Sequence, residues 1–345
     1  MKSRIIAVDL AKDVFEVAVA NHQYRVVERH RLSRREFATF LQTQPPALFL
    51  AEACGTAHFW ARQAQSAGHR AELIPAHYVK PYRRRGKTDR VDTEAILEAH
   101  RCQGILPVPV RSVEQQQIQQ FHRVREQWKR TRTQRINGLR GFLRELGHVI
   151  PVGAKLAQRR AREILDDGTL PAPLVFVFGR LLDEILGLEA DIHDIERQLD
   201  ALTRDNPDVQ RLQTVAGIGL LTSTALIACA GSSHHFPDGR HFASWLGLTP
   251  REYSSGNRRF LGKISKQGDA YLRMLLTHGA RSVLARAKQL NRAGKPLSRV
   301  QRWACQVEQR VGHNKATCAL ANKLARICWA VWKHERDFDP SHVVI

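Results

Sequence analysis

The sequence predicts an α/β amino-terminal domain, a helical middle with a coiled-coil seam, and a mainly α carboxy-terminal domain containing a helix-hairpin-helix-like element. Three observations predict it. Short apolar runs separated by turn signals crowd the first 75 residues, helical periodicity takes over from about residue 113, and glycine-punctuated helical runs follow Asn206-Pro207. The boundaries read from these shifts are 1–110 for the α/β domain, 111–205 for a basic helix, connector and coiled coil, 206–335 for the last domain, and 336–345 for a tail.

The elements follow in order. Ile5 to Val8 is a continuous apolar run, Val14 to Val19 alternates after a tight turn, and Tyr24 to Val27 follows another turn, so three strands open the chain. Ser33, with Glu36 three residues on, forms a capping box for a helix through Leu41. Ala47 to Glu52 reads as a short buried strand, His58 to Ala67 as a helix, and Ala71 to Pro75 as a strand. A helix capped by Thr88 comes next. This order is that of an RNase H-like fold; a doubly wound nucleotide-binding domain lacks the opening three-strand meander.

From Val113 to Leu146 the pattern is helical, with Arg123, Arg125, Lys129, Arg130, Arg132, Arg135, Arg140 and Arg144 at positions expected to be exposed. Pro151 to Pro173 interrupts it and reads as a connector. Then Leu181, Ile185, Leu188, Ile192, Ile195, Leu199 and Leu202 step four-three-four-three, the a/d seam of a coiled coil. The seam is read as a two-helix contact within or between chains, with the intermolecular version preferred. Val215-Ala216-Gly217-Ile218-Gly219 before the helical run Leu220 to Cys229 reads as a helix-hairpin-helix element, in which Gly217 and Gly219 let backbone amides approach a phosphate. An ordinary glycine turn between packed helices is the alternative.

Charge narrows the partners. The 345 residues hold 54 Lys and Arg against 33 Asp and Glu, a formal net charge of +21. An excess of this size is the footprint of a phosphate-backbone partner. A membrane is not expected: no run of about 18 apolar residues exists, and the amino terminus enters a strand without an apolar signal core. The six cysteines form no C-x-x-C pair, which argues against a zinc site or a disulfide framework and points to a reducing cytoplasm.

Against this basic background four acids stand out. Asp9 closes the first strand, Glu52 closes the fourth, and Asp89 and Asp92 lie three residues apart on one face of the following helix. Clustered carboxylates bind hard divalent cations, and a metal beside phosphate is the chemistry of strand cleavage. Taken singly, each is also an ordinary turn or helix-start acid. In the last domain Ser254 and Ser255 occupy a polar turn with Arg251, Arg258 and Arg259, and Lys263 and Lys266 follow. Such a loop either grips phosphate or supplies a nucleophile activated by neighbouring charge.

Read together, these motifs resemble the DEDD transposases of insertion-sequence family 110, in particular its 1111 subgroup. The motifs are Val8-Asp9-Leu10-Ala11-Lys12-Asp13, Glu52 within Ala51-Glu52-Ala53-Cys54-Gly55, Lys87-Thr88-Asp89-Arg90-Val91-Asp92, Val215 to Gly219, Gly247-Leu248-Thr249-Pro250, Ser254-Ser255-Gly256 and Ile264-Ser265-Lys266-Gln267-Gly268-Asp269. Departures are small: Ala7 stands where the family usually has Gly, Thr93 where Ala is common, and Leu261 where a second Gly is usual.

The resemblance implies a RuvC-like domain binding Mg²⁺, with Mn²⁺ as the alternative, on Asp9, Glu52, Asp89 and Asp92. It implies a catalytic serine, by motif match Ser255 with Ser254 as fallback, and a phosphoserine link to DNA. It further implies donor and target DNA as partners and a structured non-coding guide RNA from the same element. Because synapsing two duplexes needs more than one subunit, a homodimer or homotetramer is expected, in a bacterial cytoplasmic setting with nucleoid association during transposition. Nucleic-acid contacts are expected at Arg123, Lys129, Arg130, Arg132, Arg135, Gly217, Gly219, Arg251, Arg258, Arg259, Lys263 and Lys266. The contrasting reading is a structure-selective hydrolytic nuclease of Holliday-junction resolvase type, in which the serine only binds phosphate.

Overall fold

The computed structural model describes residues 4–83, 89–102 and 104–340, with Asp89 and Arg90 described in backbone alone. Thr88, the expected helix cap, lies outside the described residues. The chain divides into two compact units, Met1–Gln115 and Gln116–Ile345.

The first unit is built on a five-stranded sheet of β1 (Arg4–Asp9), β2 (Val14–Ala20), β3 (Val26–Ser33), β4 (Ala47–Glu52) and β5 (Arg70–Ile74), in the order β3-β2-β1-β4-β5. Short turns make β1–β2 and β2–β3 antiparallel. The crossovers through α1 (Arg34–Thr43) and α2 (Ala57–Ser66) make β1–β4 and β4–β5 parallel, as strand-to-strand connections of these two lengths require. The capping box expected at Ser33 and Glu36 is present in both directions. The third strand differs from the expectation: it starts at Val26 and runs on to Ser33, while Tyr24 sits in the turn with φ 62. The run Arg29-His30-Arg31 hid this strand, because β3 lies at a sheet edge and is half solvent-facing.

Strand alternation sends side chains to two different cores. Ile6, Val8, Phe15, Phe49 and Ala51 pack with Phe37 of α1 and Trp60 of α2. Ile5, Ala7 and Leu50 face the other way, against Ala95, Ile96 and Ala99 of a later helix. Beyond β5, α3 (Ala76–Val79) and one 3₁₀ turn (Lys80–Tyr82) lead toward that helix, α4 (Asp89–Arg101).

In the second unit the expected connector is itself helical. The structure contains α5 (Val113–Glu145), α6 (Ala154–Asp166) and α7 (Ala172–Thr203). Ala157, Ala161, Ile164 and Leu165 of α6 are buried against Leu139 and Leu143 of α5 and Leu182 and Ile185 of α7. The basic surface of α6 had masked this small-residue stripe. Three ion pairs join α5 to α7: Arg125–Glu196 at 2.6 Å, Arg132–Glu189, and Arg135–Glu184 at 2.9 Å. One residue number falls as the other rises, so the helices run antiparallel. Ile185 packs with α5, and Leu199 packs with Ile118 of α5 and Ala228 of a later helix. Ile185 and Leu199 of the expected seam thus have partners within the chain, and Leu202 alone of the seven is among the exposed large apolar side chains.

The remaining helices are α8 (Pro207–Gln213), α9 (Leu220–Ala230), α10 (Gly239–Trp245), α11 (Ala270–Arg292), α12 (Arg299–Val311) and α13 (His313–Lys333), with a hairpin of β6 (Pro250–Glu252) and β7 (Leu261–Ile264) between α10 and α11. Leu212, Val215, Leu226, Phe242, Leu276, Leu284, Leu320 and Leu324 are among the residues of their common core. Among the described residues no helix is long and apolar enough to cross a membrane.

Candidate active site

The parallel pairing of β1 with β4 ends at Val8 opposite Ala51. Asp9 and Glu52 are therefore the next residue on two adjacent strands. By alternation both share the face of Ala7 and Leu50, the face that α4 covers. Asp92 lies in the first turn of α4. Its Oδ1 accepts from Arg83 Nε at 2.8 Å, and Glu52 Oε2 accepts from Arg83 Nη2 at 2.7 Å. Glu52 and Asp92 thus meet through one guanidinium, with side chains 23% and 21% exposed. The backbone of Asp89 opens the same helix, and its side chain lies outside the described residues. Among the described residues no three His, Cys, Asp or Glu side chains converge as a metal cage.

Two residues of this region escaped the sequence reading. Glu16 pairs with Asp9 across β1 and β2 and lies on the same face. It could have been found as the single acid in an otherwise apolar strand. Arg83 offered no such signal, being the first of three consecutive arginines.

The serines lie at the tip of the β6–β7 hairpin. Backbone bonds between Ser255 and Arg258 run both ways, at 3.2 and 3.1 Å, and close a two-residue turn. Gly256 takes φ 55 at its first central position, which a glycine adopts without strain. Ser254 Oγ donates to Glu252 Oε1 at 2.7 Å, and Arg259 grips both Glu252 oxygens at 2.9 and 3.3 Å. The hydroxyl of Ser254 and then Arg259 hold the Glu252 carboxyl below its usual range. Among the described residues the Ser255 hydroxyl makes no hydrogen bond, and both serines are exposed. Arg251 donates to the Ser265 carbonyl at 3.2 Å. Arg258, Lys263 and Lys266 are exposed, and Lys266 holds a left-handed backbone with φ 56.

The expected nucleic-acid contacts divide into two kinds. Arg123 is exposed on α5. Lys129 and Arg130 lie 3.8 and 3.5 Å from Glu126 within the same helix, loose pairs that leave their charge accessible. Arg132 and Arg135 are instead engaged by the glutamates of α7. Arg132, 17% exposed, is turned into the helix pair, whereas Arg135 stays 48% exposed and its pair with Glu184 leaves its charge accessible. Gly219 is exposed at the N-cap of α9. Gly217 is positioned by packing: it takes φ 84, and a Cβ there would meet the Gly279 carbonyl oxygen of α11 at 2.7 Å.

Comparison with known proteins settles the family. Residues 6–148 match the DEDD transposase family of IS110, and residues 209–294 match the family described as Transposase IS116/IS110/IS902. A probable family 20 transposase of Pseudomonas aeruginosa is 42% identical over 338 residues, spanning 97% of this chain and 98% of that protein. The transposase for insertion sequence element IS1111A of Coxiella burnetii is 35% identical over 97% of this chain and 91% of its own length. That for IS1328 of Yersinia enterocolitica is 35% identical over 95% and 96%. The chain therefore belongs to the IS110 family of insertion-sequence transposases, enzymes of DNA recombination that cut and transfer DNA strands.

Proposed function

We propose that this transposase joins DNA through a serine nucleophile, with the scissile phosphate oriented by a divalent cation on Asp9, Glu52, Asp89 and Asp92. In this reading the first unit is an RNase H-like, RuvC-like domain. The observation that carries it is the convergence of Asp9 and Glu52 at adjacent strand ends under α4, with Glu52 and Asp92 sharing one guanidinium. DEDD transposases work with a divalent metal. The donors here are all hard carboxylate oxygens, which suit Mg²⁺ or Mn²⁺, and Arg83 already stands there as a cation. Bound at that place, the ion supplies Lewis-acid polarisation of a phosphate oxygen.

The remaining roles fall to the chain itself. Ser255 Oγ attacks phosphorus as its proton passes to a carboxylate or water, and the bond to the departing sugar oxygen breaks as that oxygen takes up a proton from water. The product is a phosphoserine ester and a free DNA hydroxyl. A second hydroxyl reverses the step and joins a new strand without ATP, because the ester conserves the free energy of the phosphodiester. The exposed Arg258, Lys263 and Lys266 neutralise the phosphate charge that develops. The domain roles in this reading are 1–110 for the acids, 111–205 for the helical middle and 206–335 for the serine. A guide RNA lies on the basic surface that includes Arg123 and Arg130, and a dimer or tetramer aligns two duplexes.

The serine role is tested by incubating wild type, Ser255→Ala and Ser254→Ala with labelled element-end DNA and Mg²⁺, then resolving products under denaturing conditions. Ser255→Ala is expected to lose both cleavage and the covalent protein–DNA band, and Ser254→Ala to keep the band. Cleavage by Ser255→Ala at the wild-type rate points instead to a hydrolytic nuclease. The RNA partner is tested by sequencing the RNA that co-purifies with the protein expressed from its own element; a discrete element-encoded species is expected.

A further inference from the structure

Arg83 follows the 3₁₀ turn Lys80–Tyr82. Its guanidinium reaches a strand-end carboxylate and a helix carboxylate together, through Nη2 to Glu52 Oε2 at 2.7 Å and Nε to Asp92 Oδ1 at 2.8 Å. Planar guanidinium donors suit carboxylate oxygens, and these charge-assisted bonds are the strong kind. The single positive charge offsets part of the repulsion between the two acids. A divalent ion held by Glu52 and Asp92 would draw on the same two carboxylates. An ion bound to them would lie within a few ångströms of a fixed positive charge, and like charges at that distance repel. Ion and guanidinium therefore exclude each other. The Arg83 side chain is 40% exposed, so it can leave for solvent without opening a core.

We propose that Arg83 is a built-in competitor for the divalent cation: it holds Glu52 and Asp92 in the metal-free chain and is displaced when the ion loads. The inference rests on the assignment of these acids to the metal. Arg83 acts through the carboxylates, as a positioning residue that sets how readily the site accepts an ion.

The test is a Mn²⁺ titration of the full chain, without nucleic acid, followed by the loss of the free-ion electron paramagnetic resonance signal. Arg83→Gln removes the competitor and is expected to bind Mn²⁺ roughly tenfold more tightly, the combined weight of two solvent-facing ion pairs. Arg83→Lys keeps the charge without the fork and is expected to fall between the two; it also carries the test if Arg83→Gln does not fold. Metal-free melting should drop in Arg83→Gln and recover with Mn²⁺. Asp92→Asn in the Arg83→Gln background separates the two ideas. If Asp92→Asn weakens binding there but neither Arg83 variant binds more tightly than wild type, the competitor role is overturned and the acid site stands. If Asp92→Asn leaves binding unchanged, the acid site itself is refuted and the competitor role goes with it.

Discussion

His122 gives the second unit a pH dependence that can be worked from its hydrogen bonds. It lies on α5 and is buried, with Nε2 3.0 Å from Thr224 Oγ1 of α9 and Nδ1 3.0 Å from the Tyr271 hydroxyl of α11. The Thr224 hydroxyl already donates to the Leu220 carbonyl at 2.6 Å, so its oxygen is left to accept, and Nε2 must be the ring nitrogen bearing hydrogen. Nδ1 then accepts from Tyr271. A second proton on Nδ1 would end the donation from Tyr271 and force its hydroxyl to turn away. Burial, with Arg125 nearby, pushes the imidazole down to about 4. Burial likewise pushes the Tyr271 phenol up to about 12 and keeps it a donor.

The unfolded chain protonates this histidine near its ordinary 6.5 and the folded unit does not until about 4. Between those values the unfolded state binds more protons, so stability is lost as pH falls. The slope approaches about 1.4 kcal/mol per pH unit and the total is about 3 kcal/mol at pH 4. Five of the six tryptophans (Trp128, Trp245, Trp303, Trp329 and Trp332) lie in the second unit. Urea unfolding followed by tryptophan fluorescence therefore reports mainly on it. His122→Gln cannot titrate. The stability difference between wild type and His122→Gln should fall by about 3 kcal/mol from pH 7.5 to pH 4. A flat difference across that range refutes the neutral, hydrogen-bonded histidine.

Two further outcomes follow from the packing of the second unit. In a double-mutant cycle, Arg132→Met and Glu189→Gln should show a coupling of about 1–3 kcal/mol in urea unfolding, because both side chains are mostly buried at the α5–α7 contact. Nucleic-acid affinity should change little at constant salt. Lost affinity with no coupling would return Arg132 to the nucleic-acid surface. Gly217→Ala should cost about 3 kcal/mol in thermal or urea unfolding, since it combines a left-handed backbone with an overpacked contact. Its Cβ would meet both the Gly279 carbonyl and Val283 at 2.7 Å, whereas a Cβ at Gly219 would meet nothing within 4 Å. Gly219→Ala should therefore melt close to wild type. If Gly217→Ala melts unchanged and binds DNA less well, the glycine serves phosphate and not packing.

The legible parts of this chain are those written in neighbouring residues. The apolar run Ile5–Val8, the alternation of Val14–Val19 and the Ser33–Glu36 box each specify an element from within a few positions, and each element formed. Less legible were elements whose partners lie far away in sequence. The edge strand β3 looked too polar, and α6 looked like a basic connector because half of its buried stripe, Ala157 and Ala161, is alanine. The carboxylates were legible because strand ends and a helix start can be located from periodicity, and the order of elements then says which ends are adjacent.

By itself, the sequence determined the element order of the first unit, the acids at its strand ends, the serine turn and the excess of positive charge. Those features depend on local periodicity, turn chemistry and composition, which survive without a fold. Only the tertiary structure decided which charges are spoken for. Arg132 turns to Glu189 of α7, and Gly217 packs on Gly279. Arg83, one of three arginines in a row, is held by Glu52 and Asp92. An ion pair is set by which surfaces meet, and no spacing along the chain records that. Two of the four carboxylates singled out in the sequence, Glu52 and Asp92, are thus bound in the fold by a cation of the same chain.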